Sequence, residues 1–238
     1  MLSVNHIDSY YGEYRALRDI SLSVSEGELA LIFGPNGHGK STLLKTISGL
    51  IRPTRGTICY GDVEIHRLPI DRIVEMGLVL IPEERHLFTE MTVIDNLKLG
   101  AYNSRAWPNL RENLDFVSVL FPRLAERKKQ IVSTLSGGEL RMLAIGRGLM
   151  AGAKFVAVDE PSLGLSPILT QEVFKKIEEI NLNGITILLV EQNMKETAQL
   201  ARRIYLMEDG QITFGGTREE ALENPKIKEA FLGKHSHD

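Results

Sequence analysis

The chain has 238 residues, of which 28 are basic and 31 acidic, with a formal net charge of −3 and a single cysteine, Cys59. This length permits one large domain, or a core with a lobe inserted, around a substantial buried interior. The lone cysteine excludes an internal disulfide framework and suits a reducing compartment, with the cytosol as default. The near-balanced charge provides no field to attract duplex DNA, so nucleic acid is not expected as a ligand.

The opening stretch MLSVNHIDSYYGEY lacks the basic-then-apolar order of a signal peptide. No apolar run approaches the roughly 20 residues of a transmembrane helix, so any membrane role is expected to come through partners. Residues 2–24 alternate weakly, and 57–60 run into Gly61 and Asp62 as a strand enters a turn, which predicts a small antiparallel layer. LALIF (29–33), FVAV (155–158) and ITILLV (185–190) read as buried strands, each followed by a polar or glycine-rich turn and then helical periodicity, an α/β layout. From about 87 to 150 helix signals dominate. Thr92 is placed to cap a helix carrying Val93, Ile94 and Leu97, and Pro108 is placed to open another, which predicts an inserted helical lobe. A helix over 167–183 carries the stripe Val173, Phe174, Ile177 and Ile180, with Ser166 as cap and Gly184 as stop. Residues 203–208 and 211–214 flank Asp209 and Gly210 as a hairpin, and Thr217 with Glu220 forms a capping box for a terminal helix. His235 and His237 read as a frayed tail rather than a metal site. With no internal repeat, the expected organisation is one domain, its core formed by 1–86 and 151–238 and its helical lobe by 87–150.

The strand LALIF runs into Gly34, Pro35, Asn36, Gly37, His38, Gly39, Lys40, Ser41 and Thr42, and then into a helical pattern. This is G-x-x-x-x-G-K-[ST] between a strand and a helix, a phosphate-binding loop of the P-loop NTPase kind. Its glycines let backbone N–H groups face a phosphate, and the helix that follows turns its positive end to the same anion. Lys40 is expected to bridge the β- and γ-phosphates of ATP, and the Ser41 hydroxyl to ligate Mg²⁺. A second buried strand ends abruptly in Asp159 and Glu160. Burying either charge unpaired is costly, and an Mg²⁺-bound water for Asp159 and an attacking water for Glu160 would offset that cost. A third element, LSGGE (135–139) followed by helical periodicity, is another glycine-rich helix start, with Ser136 as a hydroxyl donor and Gly137 and Gly138 open to a phosphate.

The LSGGE stretch resembles the LSGGQ signature of ATP-binding cassettes, and the resemblance extends from end to end. It implies a P-loop core with an antiparallel β layer and an inserted helical lobe, ATP and Mg²⁺ as cofactors, and two cassettes meeting head to tail, with Ser136, Gly137, Gly138 and Glu139 closing over the partner's ATP. It further implies that Tyr11 stacks on adenine, that the segment 162–167 crosses the dimer interface, and that 81–97 joins the lobe and touches membrane subunits. Two positions depart from the family pattern: Glu83 stands where a glutamine is usual and is expected to face the metal with Ser41 and Asp159, and Gln192 replaces the switch histidine. Glutamine exchanges no proton near neutral pH, which leaves Glu160 as the base while Gln192 retains a hydrogen bond for the γ-phosphate. The combination of PEER, LSGGE, DEPSLGLSP and VEQN is similar to the smaller ATPase type of branched-chain amino acid importers. That similarity implies integral-membrane permeases, an indirect link to a solute-binding protein, and a place on the inner face of the cell membrane. A cassette for another solute such as urea, and a soluble mechanical ATPase, share the same motifs. The short span from Lys40 to Ser136 has no room for the long coiled coil of the mechanical type.

Overall fold

Alternate side chains of the central strands divide between two apolar clusters. In β3 (Leu29–Phe33), Leu29, Leu31 and Phe33 enter one cluster while Ala30 and Ile32 enter the other. The same division recurs in β7 (Phe155–Asp159) and β8 (Thr186–Glu191), where Val156, Val158, Ile187 and Leu189 face one way and Phe155, Ala157, Leu188 and Val190 the other. A pleated strand covered on both faces has no polar side, which is why these segments read as continuous apolar runs. The computed structural model describes residues 1–192, 194–225, 227 and 228.

The strands form two sheets. The larger has the order β10-β9-β3-β8-β7-β6, with β6 (Leu78–Ile81), β9 (Arg203–Glu208) and β10 (Gln211–Thr217) completing it. It is parallel except for the β10 edge. The smaller sheet is antiparallel, order β2-β1-β4-β5, from β1 (Leu2–Tyr11), β2 (Tyr14–Val24), β4 (Arg55–Tyr60) and β5 (Val63–Glu64). Helix α1 (Lys40–Ile47) packs Leu43, Leu44 and Ile47 into the cluster shared with this small sheet. Helix α2 (Ile70–Glu75) lies just ahead of β6.

Between β6 and β7 come α3 (Val93–Gly100), α4 (Leu110–Leu120), α5 (Pro122–Glu126) and α6 (Gly137–Leu149). Their apolar faces, including Val93, Leu97, Val117 and Leu143, join the cluster that lines the other face of the large sheet. Thr92 caps α3 by accepting from the Asp95 N–H at 3.2 Å. Pro108 lies in a short 3₁₀ turn, Trp107–Asn109, that leads into α4. Helix α7 (Pro167–Leu182) buries Val173, Phe174, Ile177 and Ile180. Ser166 holds its N-cap position through its backbone, without a side-chain bond. The β9–β10 turn has Asp209 at φ 48° and Gly210 at φ 76°, the double left-handed conformation of a tight hairpin. After α8 (Met194–Thr197) and β10, Thr217 and Glu220 make the capping box of α9 (Arg218–Glu223). His235 and His237 lie outside the described residues. Among the described residues no helix is long and apolar enough to cross a membrane.

Candidate active site

The turn from β3 into α1 is shaped by contacts that leave no room for side chains. A Cβ at Gly34 would collide with the Met207 carbonyl, and one at Gly39, whose φ is 99°, would meet the Ala16 carbonyl oxygen at 3.0 Å. Gly39 is the N-cap of α1 and offers no side-chain bond, and the first turn holds no acidic residue. The first amides of α1 therefore lack an internal partner, and its positive end is left bare. Lys40 folds back over this end, only 4% exposed. Its Nζ donates to the Gly34 carbonyl at 2.9 Å, the Pro35 carbonyl at 3.1 Å and Asn36 Oδ1 at 3.3 Å, and lies 3.2 Å from Glu160 Oε1. His38 faces the β9–β10 turn instead, accepting from the Asp209 N–H at Nδ1 over 2.8 Å.

Strand β7 carries two carboxylates to the same place. Asp159 is buried, and burial, reinforced by the charges of Glu160 and Glu83, pushes its carboxyl up to about 6 against the pull of a hydrogen bond from Ser41. Among the described residues its Oδ1 has no hydrogen-bond partner. Glu160 has φ 40°, a left-handed conformation costly for a residue with a side chain and maintained only where the surroundings enforce it. Its N–H donates to the Val190 carbonyl at 3.0 Å. Strand β8 adds a third carboxyl, Glu191, pushed up to about 7 chiefly by burial. Glu191 accepts from the Ser162 N–H at 3.1 Å and the Gln192 N–H at 3.3 Å.

These elements surround a cavity of about 330 Å³ lined by Asn36, Gly37, Gly39, Lys40, Ser41 and Thr42 from the loop side and by Glu83 and Glu160 opposite. Tyr11 and Tyr14, at the tip of the β1–β2 hairpin, complete its wall with half-exposed rings. Sequence reasoning singles out Tyr11 but not Tyr14, which is paired with it across the turn. Gln192 is exposed and stands apart from this cavity. So do Ser136, Gly138 and Glu139, which line a separate, smaller cleft.

At the start of α6, Ser136 and Glu139 satisfy each other. Glu139 Oε2 accepts from the Ser136 N–H at 2.9 Å and its hydroxyl at 2.8 Å, and the Glu139 N–H donates back to Ser136 Oγ at 3.4 Å. Burial raises the Glu139 carboxyl, but these bonds and the neighbouring Arg127 and Arg123 outweigh it and hold it below its ordinary value. Gly137 is open, since a Cβ there would stand 4.0 Å from Arg85 and Leu165, whereas a Cβ at Gly138 would press on Leu169 at 2.9 Å.

Comparison with known proteins places residues 17–163 in the ABC transporter family. The chain belongs to that family. It is 42% identical, over 98% of its length and 100% of the relative, to the high-affinity branched-chain amino acid transport ATP-binding protein BraG of Pseudomonas aeruginosa. It is 33% identical, over 98% and 99%, to a protein of Archaeoglobus fulgidus named "Probable branched-chain amino acid transport ATP-binding protein LivF". The lipopolysaccharide export system ATP-binding protein LptB of Acidithiobacillus ferridurans is 31% identical, over 94% and 95%. Among solved structures, the ADP conformation of an ATP-binding cassette of an ABC transporter superposes with a TM-score of 0.84, at 28% identity, covering 98% of this chain and 99% of that one. The fold is that of an ABC ATPase, and the activity of this cassette is ATP hydrolysis.

Sequence reasoning misses Glu191, whose buried carboxyl ends β8. Glu191 ends the apolar run ITILLV just as Asp159 ends FVAV, so the same signal, a buried strand finishing in a carboxylate, was there to be read.

Proposed function

We propose that this chain is the nucleotide-binding subunit that energises import of branched-chain amino acids, binding ATP in the cavity at the start of α1. The observation behind the nucleotide assignment is the geometry there: bare helix amides, a buried lysine amid carbonyl oxygens, and Glu160 within 3.2 Å of it. A phosphate chain would give the loop amides acceptors and Lys40 a second anion beside Glu160, with Gly34 to Thr42 cradling it and Tyr11 stacking on the base. Glu160 takes the proton of the attacking water, and Gln192 is left a hydrogen-bonding role once the site closes.

The side chains also fit a divalent cation. Asp159 Oδ1 is buried without a partner, and Ser41 stands beside the same carboxylate. This oxygen donor set suits Mg²⁺, an ion that keeps several waters and shares substrate phosphates. When bound it would be held by Ser41 and Asp159, with Glu83 facing it, and would neutralise phosphate charge.

The signature residues Ser136, Gly137, Gly138 and Glu139 lie outside the cavity, so we assign them to the ATP of a second cassette, met head to tail. In this reading 1–86 with 151–238 form the catalytic core and 87–150 the lobe that touches integral-membrane permeases. The chain then sits on the inner face of the cell membrane and communicates indirectly with a solute-binding protein. The solute follows from the 42% identity with BraG, against 31% with LptB. Purification with the membrane partners, followed by ATPase assay with candidate solutes, tests this. Stimulation by leucine, isoleucine or valine with their binding protein is expected; stimulation only by another solute would overturn the solute assignment.

A further inference from the structure

Among the described residues Arg141 is the largest fully buried side chain, 1% exposed in the second turn of α6. Burial, with the like charge of Arg85, pulls its guanidinium below the usual value, opposed by Glu191, Glu83 and Asp159. Removing a guanidinium from water costs several kcal/mol unless its donors are met. Among the described residues it forms no ion pair, since no carboxylate oxygen lies within 4.0 Å. Its fork instead reaches backbone. Nη1 donates to the Glu83 carbonyl at 3.1 Å and the Pro82 carbonyl at 3.5 Å, and Nη2 to the Glu160 carbonyl at 3.4 Å. The residues whose peptides it holds, Glu83 and Glu160, are the two carboxylates that line the nucleotide cavity.

Two further observations give this contact a purpose beyond filling space. Glu160 sits at φ 40° and needs outside restraint. Its peptide is held by its own N–H on Val190, by the Leu163 N–H on its carbonyl at 3.2 Å, and by Arg141. Further along α6, Arg147 donates to the Arg85 carbonyl at 3.1 Å and the His86 carbonyl at 2.7 Å. His86 is also left-handed, at φ 44°. One helix, beginning at the signature glycines, thus grips the 82–86 loop by four carbonyls and the Glu160 peptide by a fifth.

We propose that Arg141 is a positioning residue for ATP hydrolysis, fixing the Glu160 peptide and the 82–86 loop to α6 so that a shift of either the loop or the signature helix moves the carboxylate that activates water. This rests on the reading of Glu160 as the base. Lysine cannot reproduce the effect, because its single ammonium has no planar fork to span two chain segments.

The test uses the full chain assembled with its membrane partners. Arg141→Lys is expected to lower kcat about tenfold or more, the scale of a small misplacement of a reacting group, with KM for ATP within about twofold. Arg141→Gln, neutral and therefore easier to bury, is expected to show the same split. In a Glu160→Gln background neither substitution should lower the residual rate further, because the group that Arg141 positions is already gone. Wild-type kcat in either variant would overturn the proposal. So would an equal fold-loss in the Glu160→Gln background, or a loss of nucleotide affinity that tracks the melting temperature in both variants, since each makes the arginine architectural only. A Glu160→Gln chain that hydrolyses at the wild-type rate removes the assignment of Glu160, and the proposal with it; wild-type rates confined to the Arg141 variants remove the proposal alone.

Discussion

The two glycine-rich helix starts, at α1 and at α6, look alike in sequence and are finished in opposite ways. At α1 the N-cap is a glycine with no side-chain bond and no acid in the first turn, and a buried lysine adds to the positive end. At α6 the N-cap is Ser136 in a complete capping box, with the Glu139 carboxylate already drawing on the exposed end. The first end is left without a side-chain cap. The second is stable by itself and can meet an anion only by adding to bonds it already has. The carboxylates differ as well: hydrogen bonds and nearby arginines hold Glu139 low, whereas Asp159 and Glu191, buried at the ends of β7 and β8, are pushed up by burial. A motif identifies a helix start, and we propose that the capping chemistry decides whether that start binds a phosphate within its own chain.

Lys40→Ala breaks this contrast most severely. It removes the only side-chain cation lining the cavity among the described residues and leaves the buried Glu160 carboxylate without its partner at 3.2 Å. A charge-assisted contact to phosphate of about 3 kcal/mol corresponds to roughly a hundredfold loss of ATP affinity. Titration with a fluorescent ATP analogue measures it, and unchanged affinity would make α1 no more a phosphate site than α6.

The carboxylates sharpen the comparison through pH. Glu191 has its folded-state value raised from 4.5 to about 7. The folded chain then binds the extra proton, so this contribution to stability is full below about 4.5 and is lost as pH rises through 7, on the order of 3 kcal/mol. Glu139, held low, has the opposite sign: its contribution is present above the ordinary 4.5 and is lost as pH falls through its depressed value. Urea unfolding of the nucleotide-free chain at pH 5 and pH 8 should show Glu191→Gln gaining on the wild type at the higher pH. A gap that stays constant would mean that Glu191 is not held protonated.

Ser136→Ala should have the smallest effect. It loses both hydroxyl bonds of the capping box, costing about 1 kcal/mol of stability in urea. The chain's own ATP affinity should stay within about twofold, because Ser136 lies outside the cavity. A loss comparable to that of Lys40→Ala would place the signature on this chain's own nucleotide.

Much of the local structure was legible in neighbouring residues, although Ser166 makes no side-chain cap. The phosphate loop needs strand, glycines, lysine and helix in succession, and the hairpin at Asp209 and Gly210 and the caps at Thr92 and Thr217 are set within four residues. Strand β6 escaped notice because four apolar residues between Gly77 and Pro82 are too few to show a period. Arg141 escaped because an arginine in a helix ordinarily points to solvent, and its partners lie 58, 59 and 19 positions away in the chain. Tyr14 joins the cavity only through the β1–β2 pairing. Gln192 adjoins the buried Glu191 yet is exposed, because the chain leaves β8 at that point.

The central claim, that the α1 end is where ATP is held and hydrolysed with Glu160 as base, is tested most directly by Glu160→Gln. The substitution keeps size and hydrogen bonding but removes the proton acceptor, while Lys40, the loop amides, Ser41 and Asp159 are untouched. Single-turnover hydrolysis should fall on the order of 10²-fold or more, with ATP binding retained and nucleotide trapped in closed dimers on size exclusion. A variant that hydrolyses ATP at close to the wild-type rate would contradict the account and move the base elsewhere, with Glu83, the other carboxylate lining the cavity, as the first candidate.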